Sequence, residues 1–326
     1  MTNAETASAD DLRVVILSGG LSHERDVSLR SGRRVGQLLR DAGLAVEIRD
    51  LDADLLPYLR DSRPDVVFPL VHGSTGEDGS IRSLLELLDI PFVGSTSGPC
   101  RLASRKPVAK AVVSAAGVAT PEFLTLPRGL FQEIGSGTVL STAVEGLGLP
   151  LVVKPEDGGS ALGVTAVERA EDLPEAMVSC FSYGDAALVE RAVMGTEVAV
   201  SVVDSPDGPV ALPPVEIVTD GPYDYDARYN AGRTEYFVPA RLDAETTRAA
   251  CDAAVAAHTA LGLRDLSRTD LIVDADGTPW FLDMNVAPGM TELSLFPQAA
   301  QAWATQGGPT FTELVAGLVR RAAARG

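Results

Sequence analysis

The sequence is short of basic residues and of long apolar runs, and each shortage excludes a class of protein. It has 27 lysines and arginines against 45 aspartates and glutamates, for a net charge of −18. This balance argues against nucleic acid or an anionic membrane surface as partner, because both bind basic faces. No run approaches the roughly 20 apolar residues of a membrane span. Segment 1–12 lacks the basic and apolar regions of a signal peptide, so we expect a flexible tail on a cytoplasmic protein.

Cysteine is also scarce. Cys100, Cys180 and Cys251 are widely spaced and odd in number. They form neither a disulfide framework nor the paired spacing of a zinc site, so reduced and mostly buried thiols are predicted. The chain of 326 residues, 45% of them hydrophobic, is long enough for two or three lobes with cores of their own.

The first part of the chain alternates strand and helix signals. Buried strands are predicted at Val14–Leu17, Ala45–Arg49, Asp65–Val71 and Ile90–Val93. Helices are predicted at Ser28–Ala42 and Ile81–Leu88. This alternation predicts an α/β fold with a parallel, doubly wound sheet, which binds ligands outside the carboxyl ends of its strands. Glu24 and His72 follow two such ends and are candidate site residues, although a single histidine can also be structural.

A hairpin near the C-terminus carries two facing carboxylates. Asp276-Gly277 is a favoured two-residue turn, with Ala275 opposite Thr278. Counting outward from it places Asp270 opposite Asp283 on one face of the sheet. Opposed carboxylates repel unless a cation lies between them, and Mg²⁺ takes such oxygen ligands together with substrate phosphates. The hairpin therefore predicts a magnesium site, and a solvated face with a slipped register is the alternative.

A second motif is a lysine followed by a glycine-rich loop. Lys154 ends a predicted strand, and Gly158-Gly159-Ser160-Ala161-Leu162-Gly163 follows it. Backbone N–H groups in such a loop can approach phosphate oxygens while the lysine supplies charge. An ordinary hairpin is the alternative, and the magnesium site later in the chain favours phosphate binding. The tyrosine-rich segment Gly221–Gly232 is either an exposed loop or a lid over a cleft.

Together these segments resemble the D-alanine–D-alanine ligases of the ATP-grasp superfamily, from about Arg13 to Leu318. The matching motifs are SGGLSHERDVSL, VHGSTGEDGSI, LVVKPEDGGSALGV, YDYDARY, SRTDLIVD and LDMNVAPGMTELSL. The resemblance implies an ATP-grasp fold and a homodimer. A substrate-binding α/β domain (13–98) would precede two α+β lobes that clamp ATP, a central one (99–191) and a C-terminal one (192–326).

The resemblance also implies the reaction, which is the ATP-dependent joining of two D-alanines for peptidoglycan synthesis. The carboxylate of one amino acid attacks the γ-phosphate of ATP and becomes an acyl phosphate. The amine of the second then attacks that carbonyl, and phosphate leaves. Such phosphoryl transfer depends on positioning and on neutralisation of charge.

Three groups of site residues follow from the resemblance. The amino acids are assigned to Glu24, Ser160, Tyr229, Arg268, Gly289, His72, Ser294 and Leu295. ATP is assigned to Lys106, Lys154, Arg228, Glu190 and Glu197. Two Mg²⁺ ions, or Mn²⁺ in their place, are assigned to Asp270, Asp283 and Asn285.

Individual roles within these groups are also implied. Glu24 would bind the first ammonium and close the lid together with Ser160 and Tyr229. Arg268 and the backbone N–H of Gly289 would bind the reacting carboxyl oxygens. The second carboxylate would meet Ser294 and Leu295, while Glu190 would meet the adenine amino group and Glu197 the ribose.

A few positions depart from the family pattern. Asp283 stands in place of a glutamate, and Arg228 in place of a lysine. Val286, Ala287 and Ala161 stand where the family has hydroxyl side chains. These departures keep two alternatives open: a ligase that joins a different amino-acid pair in specialised metabolism, and a catalytically weak nucleotide-binding paralogue. The retained charged residues of the site argue against the paralogue.

Overall fold

A computed structural model describes residues 12–219 and 234–326, which form three β-sheets flanked by helices. The first sheet is parallel, in the order β2-β1-β3. Its strands are β1 (Arg13–Leu17), β2 (Ala45–Arg49) and β3 (Val66–Pro69). Its helices are α1 (Arg25–Asp41), α2 (Leu55–Ser62), α3 (Ser74–Glu77) and α4 (Ser80–Leu87). The predicted α/β fold with a parallel N-terminal sheet is thus confirmed.

One predicted strand of this sheet is wrong. Segment Ile90–Val93 forms a single parallel bridge, between Val67 and Phe92, rather than a strand. Pro91 has no N–H to donate to the ladder, and only its carbonyl is used, accepting from the N–H of Val67 at 2.8 Å.

The second sheet is antiparallel, in the order β4-β7-β5-β6. Its strands are β4 (Phe123–Pro127), β5 (Leu151–Pro155), β6 (Thr165–Val167) and β7 (Ala186–Arg191). The helices of this region are α5 (Ser97–Ser104), α6 (Lys106–Ala115), α7 (Arg128–Ile134), α8 (Ser136–Leu147) and α9 (Leu173–Cys180). Val152 pairs with Glu190 across β5 and β7. Since side chains two apart share a face, Lys154 lies on the same face as Glu190.

The third sheet has the order β11-β10-β8-β12-β13, and β9 pairs with β8. Its strands are β8 (Thr196–Ser205), β9 (Gly208–Ala211), β10 (Val215–Thr219), β11 (Thr234–Phe237), β12 (Leu266–Val273) and β13 (Pro279–Asn285). Its helices are α10 (Ala244–Ala260), α11 (Leu295–Thr305) and α12 (Phe311–Ala323). Strand β12 lies between β8 and β13, which buries the motif that begins at Ser267.

The β12–β13 hairpin has the predicted register at its charged end. Asp270 pairs with Asp283, and Arg268 pairs with Asn285. Both strands are rich in apolar residues that face the core on the opposite side, which fixes this register.

The predicted turn of the same hairpin is wrong by one residue. The N–H of Asp274 donates to the carbonyl of Thr278 at 3.1 Å, so the loop has three residues, 275–277. An odd loop alone would place the two aspartates on opposite faces. The register shifts after Asp270, however, and Leu271 pairs with Phe281. Leu282 is therefore the extra residue of a β-bulge, and this bulge restores the shared face.

Helices α11 and α12 pack between the first and third sheets. Phe296 and Val315 from these helices share one apolar cluster with Ile16 of β1 and Val203 of β8. Leu12, the one described residue of the predicted tail, packs against the same cluster. No helix within residues 12–219 and 234–326 is long and apolar enough to cross a bilayer. The domain limits at 98 and 191 stay a prediction.

A buried carboxylate joins three distant segments near the C-terminus. Arg325 donates to both carboxylate oxygens of Asp265, at 2.9 and 2.7 Å. The N–H of Gly94 donates to the same carboxylate at 2.7 Å. Arg325 also donates to the carbonyl of Phe92 at 2.8 Å. The last residues of the chain thereby fix the first sheet against the third.

Candidate active site

Two adjoining cavities, of about 140 and 260 Å³, share a wall formed by β12, β13 and the glycine-rich loop. The first cavity lies at the carboxyl ends of β1 and β3, as the rule for parallel sheets predicts. The second lies between the second and third sheets. The shared wall includes Lys106, Gly158, Gly159, Ser160, Asp270 and Asp283.

Every predicted site residue within the described ranges lines at least one of these cavities. The first cavity has Glu24, His72, Arg268, Asn285, Gly289, Ser294 and Leu295 in addition to the shared wall. The second has Lys154, Glu190 and Glu197. Arg228, Tyr229 and the predicted lid segment lie outside the described residues.

The glycine-rich loop closes toward the N-terminal end of α1. Ser160 donates a hydrogen bond to Oε1 of Glu24 at 2.5 Å, across 136 residues of sequence. Ser160 and Ala161 both have left-handed backbones, with φ of 54° and 56°, which turn the loop over the first cavity. Glu24 is thus held beyond the carboxyl end of β1, with Oε2 toward Gly73 and Gly159.

His72 is buried at the end of β3, and burial lowers the pKa of its imidazole. The imidazole is therefore neutral at neutral pH. Its Nε2 has no hydrogen-bond partner among the described residues, and the ring lines the first cavity.

Glu77 is a site residue that the sequence reasoning missed. Its Oε1 accepts from the N–H of Gly73 at 3.0 Å, and its side chain lines the first cavity. Burial, with the negative charge of Glu24 nearby, raises the pKa of Glu77 to about 8. The available signal was the pair of acidic residues, Glu77 and Asp78, in the motif that begins at His72.

The two opposed aspartates each have a cation from the chain itself. Arg268 binds Asp270 through two hydrogen bonds, of 2.7 and 2.9 Å. The Nζ of Lys106 lies 3.4 Å from Oδ2 of Asp283. The predicted repulsion between the carboxylates is thus relieved within the protein.

The same aspartates could also hold a metal ion. No group of three His, Cys, Asp or Glu side chains in the described part of the chain could hold one alone. The two carboxylates at the wall between the cavities and the amide oxygen of Asn285 in the first cavity nevertheless suit Mg²⁺, which usually completes its shell with water and phosphate oxygens. In the structure that amide oxygen accepts from the N–H of Ala287 at 2.8 Å.

Glu190 lies between two lysines at the inner end of the second cavity. Lys154 Nζ lies 2.6 Å from Oε1, and Lys110 Nζ lies 2.8 Å from Oε2. Burial would raise the pKa of Glu190, but the two ammonium groups outweigh it and hold the pKa below its usual range. Sequence reasoning missed Lys110, whose spacing of four residues from Lys106 was the available signal.

The first cavity ends at the N-terminus of α11. Ser294 is the N-cap, and its hydroxyl bonds to that of Thr291 at 2.8 Å. A Cβ on Gly289 would lie 2.7 Å from Oγ of Ser294, so only glycine lets these two segments approach. The positive end of a helix dipole suits a carboxylate at this point.

Two of the departures from the family pattern lie behind the site. Val286 and Ala287 are 2% and 4% exposed and line neither of the two cavities. These two substitutions therefore lie in the core and not in the walls of the site. Ala161, in contrast, lines the second cavity.

Comparison with known proteins identifies the family of this chain. Residues 112–320 match the family described as D-ala D-ala ligase C-terminus, and residues 59–95 match D-ala D-ala ligase N-terminus. A D-alanine–D-alanine ligase of Pelotomaculum thermopropionicum is 39% identical over 95% of this chain and 96% of its own. One from Anaeromyxobacter sp. (strain K) is 42% identical over 88% and 91% of the two chains.

Solved structures show the same likeness. The ligase of Bacillus anthracis complexed with ATP has a TM-score of 0.79 at 27% identity, with 97% of each chain covered. The VanG D-Ala:D-Ser ligase of Enterococcus faecalis has a TM-score of 0.79 at 26% identity, over 95% of this chain and 98% of that one. By sequence and by fold, this chain is an ATP-grasp ligase and belongs to the D-alanine–D-alanine ligase family.

Proposed function

We propose that this chain joins two molecules of D-alanine into D-alanyl-D-alanine, with ATP converted to ADP and phosphate, to supply peptidoglycan synthesis. The observation that carries this proposal is the shared wall of the two cavities. It places Lys106 and the glycine-rich loop beside both the second cavity, which is lined by Lys154 and Glu190, and the first, which is lined by Glu24, Arg268 and Ser294.

The first amino acid binds with its ammonium at Glu24. The hydroxyl of Ser160 orients that carboxylate, and the glycine-rich loop covers it. His72, neutral because of its burial, adds no positive charge that would repel the ammonium. The carboxylate of the same amino acid faces Arg268 and the N–H of Gly289.

Arg268 then neutralises charge on the reacting carboxyl group. Charge develops on these oxygens as the acyl phosphate forms and again when the second amine attacks, and the guanidinium of Arg268 stabilises both. The second amino acid places its carboxylate at the N-terminus of α11, beside Ser294. This anchor directs its amine toward the carbonyl carbon, so that bond formation is a matter of positioning.

ATP occupies the second cavity, with Glu190 at the base, Glu197 at the ribose and the lysines at the phosphates. We propose that Asp270, Asp283 and Asn285 hold two Mg²⁺ ions, which would neutralise phosphate charge. Arg268 and Lys106 pair with these aspartates in the structure. Their release from the aspartates would supply cations to the substrate carboxylate and to the phosphates.

A direct assay tests this function. The chain is incubated with ATP, Mg²⁺ and D-alanine, and phosphate release and product mass are both measured. We expect one D-alanyl-D-alanine per phosphate. Each other D- and L-amino acid, D-serine included, is then supplied alone and with D-alanine. Turnover only with a mixed pair would reject the D-alanine proposal in favour of the other ligase, and no turnover with any pair would favour the paralogue.

A matched pair of variants checks the site itself. Arg268→Gln removes the guanidinium at the reacting carboxylate and should lower kcat by about 10²–10³, the usual loss for such a group. Arg33→Gln makes the same chemical change on the exposed face of α1 and should leave kcat unchanged. Equal activity in the two variants would contradict the assigned role of Arg268.

The resemblance further supports a cytoplasmic homodimer, and we propose both. Light scattering of the purified chain tests the dimer, and a mass of one chain, 34.1 kDa, would contradict it. Fractionation of cells tests the location.

A further inference from the structure

We propose that Lys110 is the permanent counter-ion of Glu190, and that it thereby positions Glu190 to recognise the 6-amino group of a purine nucleotide while Lys154 moves to the phosphates. The proposal rests on the proposed nucleotide site but not on the identity of the amino acids joined.

The two lysines bind opposite oxygens of Glu190 from different surroundings. Lys110 is fully buried and lines neither cavity, while Lys154 lines the second cavity. The Lys110 ammonium lies 2.8 Å from Oε2, and the Lys154 ammonium lies 2.6 Å from Oε1. The oxygen that faces the cavity is therefore the one that Lys154 covers.

Several contacts hold Lys110 in place. Its Nζ lies 5.4 Å from the ring centroid of Phe123, the residue opposite Glu190 in the β4–β7 ladder. It also lies 3.4 Å from the carbonyl of Phe281 on β13. Lys110 thus connects the second sheet to the third, and a nucleotide in the second cavity would not contact it.

Helix α6 links both ends of the nucleotide site. Lys106 and Lys110 are four residues apart and lie on one face of the helix. The Nζ of Lys106 donates to the carbonyl of Gly158 at 2.5 Å, in the loop predicted to bind phosphate. One helix face therefore positions the phosphate loop through one lysine and the base-recognising carboxylate through the other.

The charges explain why two lysines are needed. A buried carboxylate with a single lysine keeps that lysine, because separating the pair leaves an uncompensated buried charge. With Lys110 fixed on Oε2, Lys154 can leave Oε1 and Glu190 is still neutralised. The freed oxygen can then accept from a 6-amino group, whereas a 6-oxo group would meet it acceptor to acceptor. Burial lowers the pKa of Lys110 to about 8, so its ammonium persists at neutral pH.

The test measures the binding of ADP and of IDP, whose base has a 6-oxo group and a proton on N1 where adenine has a 6-amino group and an unprotonated N1. Calorimetry is done with Mg²⁺ and without any amino acid, so that ligase activity does not enter. The wild-type chain should bind ADP at least about tenfold more tightly than IDP, as expected for a hydrogen bond to a charged group. In Lys110→Met, Glu190 retains Lys154, and the ratio of the two dissociation constants should fall about tenfold. An unchanged ratio, including one in which the affinities for both nucleotides fall equally, would overturn the proposal.

Two further variants separate positioning from general support. Thr120 donates to the same Phe281 carbonyl at 2.9 Å, so Thr120→Val removes a similar tether but leaves Glu190 untouched and should preserve the ratio. In a Glu190→Gln background, adding Lys110→Met should change the ratio no further. This second comparison also serves if Lys110→Met alone does not fold, and an additive effect there would overturn the proposal. A chain that binds ADP as described but makes no D-alanyl-D-alanine would refute the proposed function alone.

Discussion

Glu77→Gln should remove a pH dependence from the stability of this protein. The pKa of Glu77 is raised from 4.5 to about 8, first by burial and then by Glu24. Between these two values the folded chain keeps a proton that the unfolded chain releases. The unfolding free energy of the wild type therefore falls as the pH rises from about 4.5 to 8, and the whole loss is present above pH 8.

The size of this effect follows from the two pKa values and from the position of Glu77. At about 1.4 kcal/mol per pH unit the difference corresponds to at most about 5 kcal/mol. Glu77 lines a cavity that is open to solvent, so we expect about 2 kcal/mol after screening. Glutamine has the shape of the neutral acid, retains an oxygen for the N–H of Gly73, and does not titrate.

Urea unfolding of both proteins, repeated between about pH 5 and 8.5, measures the effect. As the pH rises across this range, the unfolding free energy of the variant should increase relative to that of the wild type by about 2 kcal/mol. Glu145→Gln, on the exposed face of α8, is the matched control for the same chemical change. A difference between Glu77→Gln and wild type that stays constant with pH would refute the reasoning.

Three further substitutions have definite expected outcomes. Ser160→Ala removes the hydrogen bond to Glu24 and should lower kcat/KM for D-alanine roughly 10- to 100-fold, with ADP affinity unchanged; a loss confined to ADP binding would contradict this. Arg325→Ala leaves the carboxylate of Asp265, a residue only 2% exposed, without the guanidinium that binds both of its oxygens. The unfolding free energy measured in urea should fall by about 3 kcal/mol. A fall of less than about 1 kcal/mol would show that the pair is a surface contact. Asp283→Glu should lower kcat/KM for ATP about tenfold, because the longer side chain loses the 2.9 Å hydrogen bond from the N–H of Met284. A rise in turnover would contradict a site adapted to aspartate.

The facing aspartates could be predicted because strand pairing obeys a simple count. The hydrophobic alternation of β12 and β13 fixes which side chains face the core, and Asp270 and Asp283 fall on the other side. The bulge at Leu282 could not be predicted in the same way. A three-residue loop with a bulge and a two-residue loop without one give the same pairing at the charged end.

Lys110 and Glu77 are site residues that could not be predicted from the sequence alone. Lys110 lies four residues after Lys106 and Glu77 five residues after His72, but a lysine or a glutamate is ordinarily exposed. Only the three-dimensional packing shows that Lys110 is buried against Glu190 and that Glu77 points into the first cavity. The positions of such groups depend on contacts between segments distant in sequence, which local patterns do not encode.

The bulge in β13 has a consequence for how this site can change over evolutionary time. In a regular strand, neighbouring side chains point to opposite faces, but here Leu282 and Asp283 both line the second cavity. Deleting Leu282 would restore an uninterrupted ladder, with Leu271 opposite Phe281 and Asp270 still opposite Asp283. Leu282 is thus an inserted residue in the wall of the second cavity, and its carbonyl lies 3.4 Å from Nζ of Lys154. Mutation can replace or delete this residue while the carboxylates beside it keep their pairing.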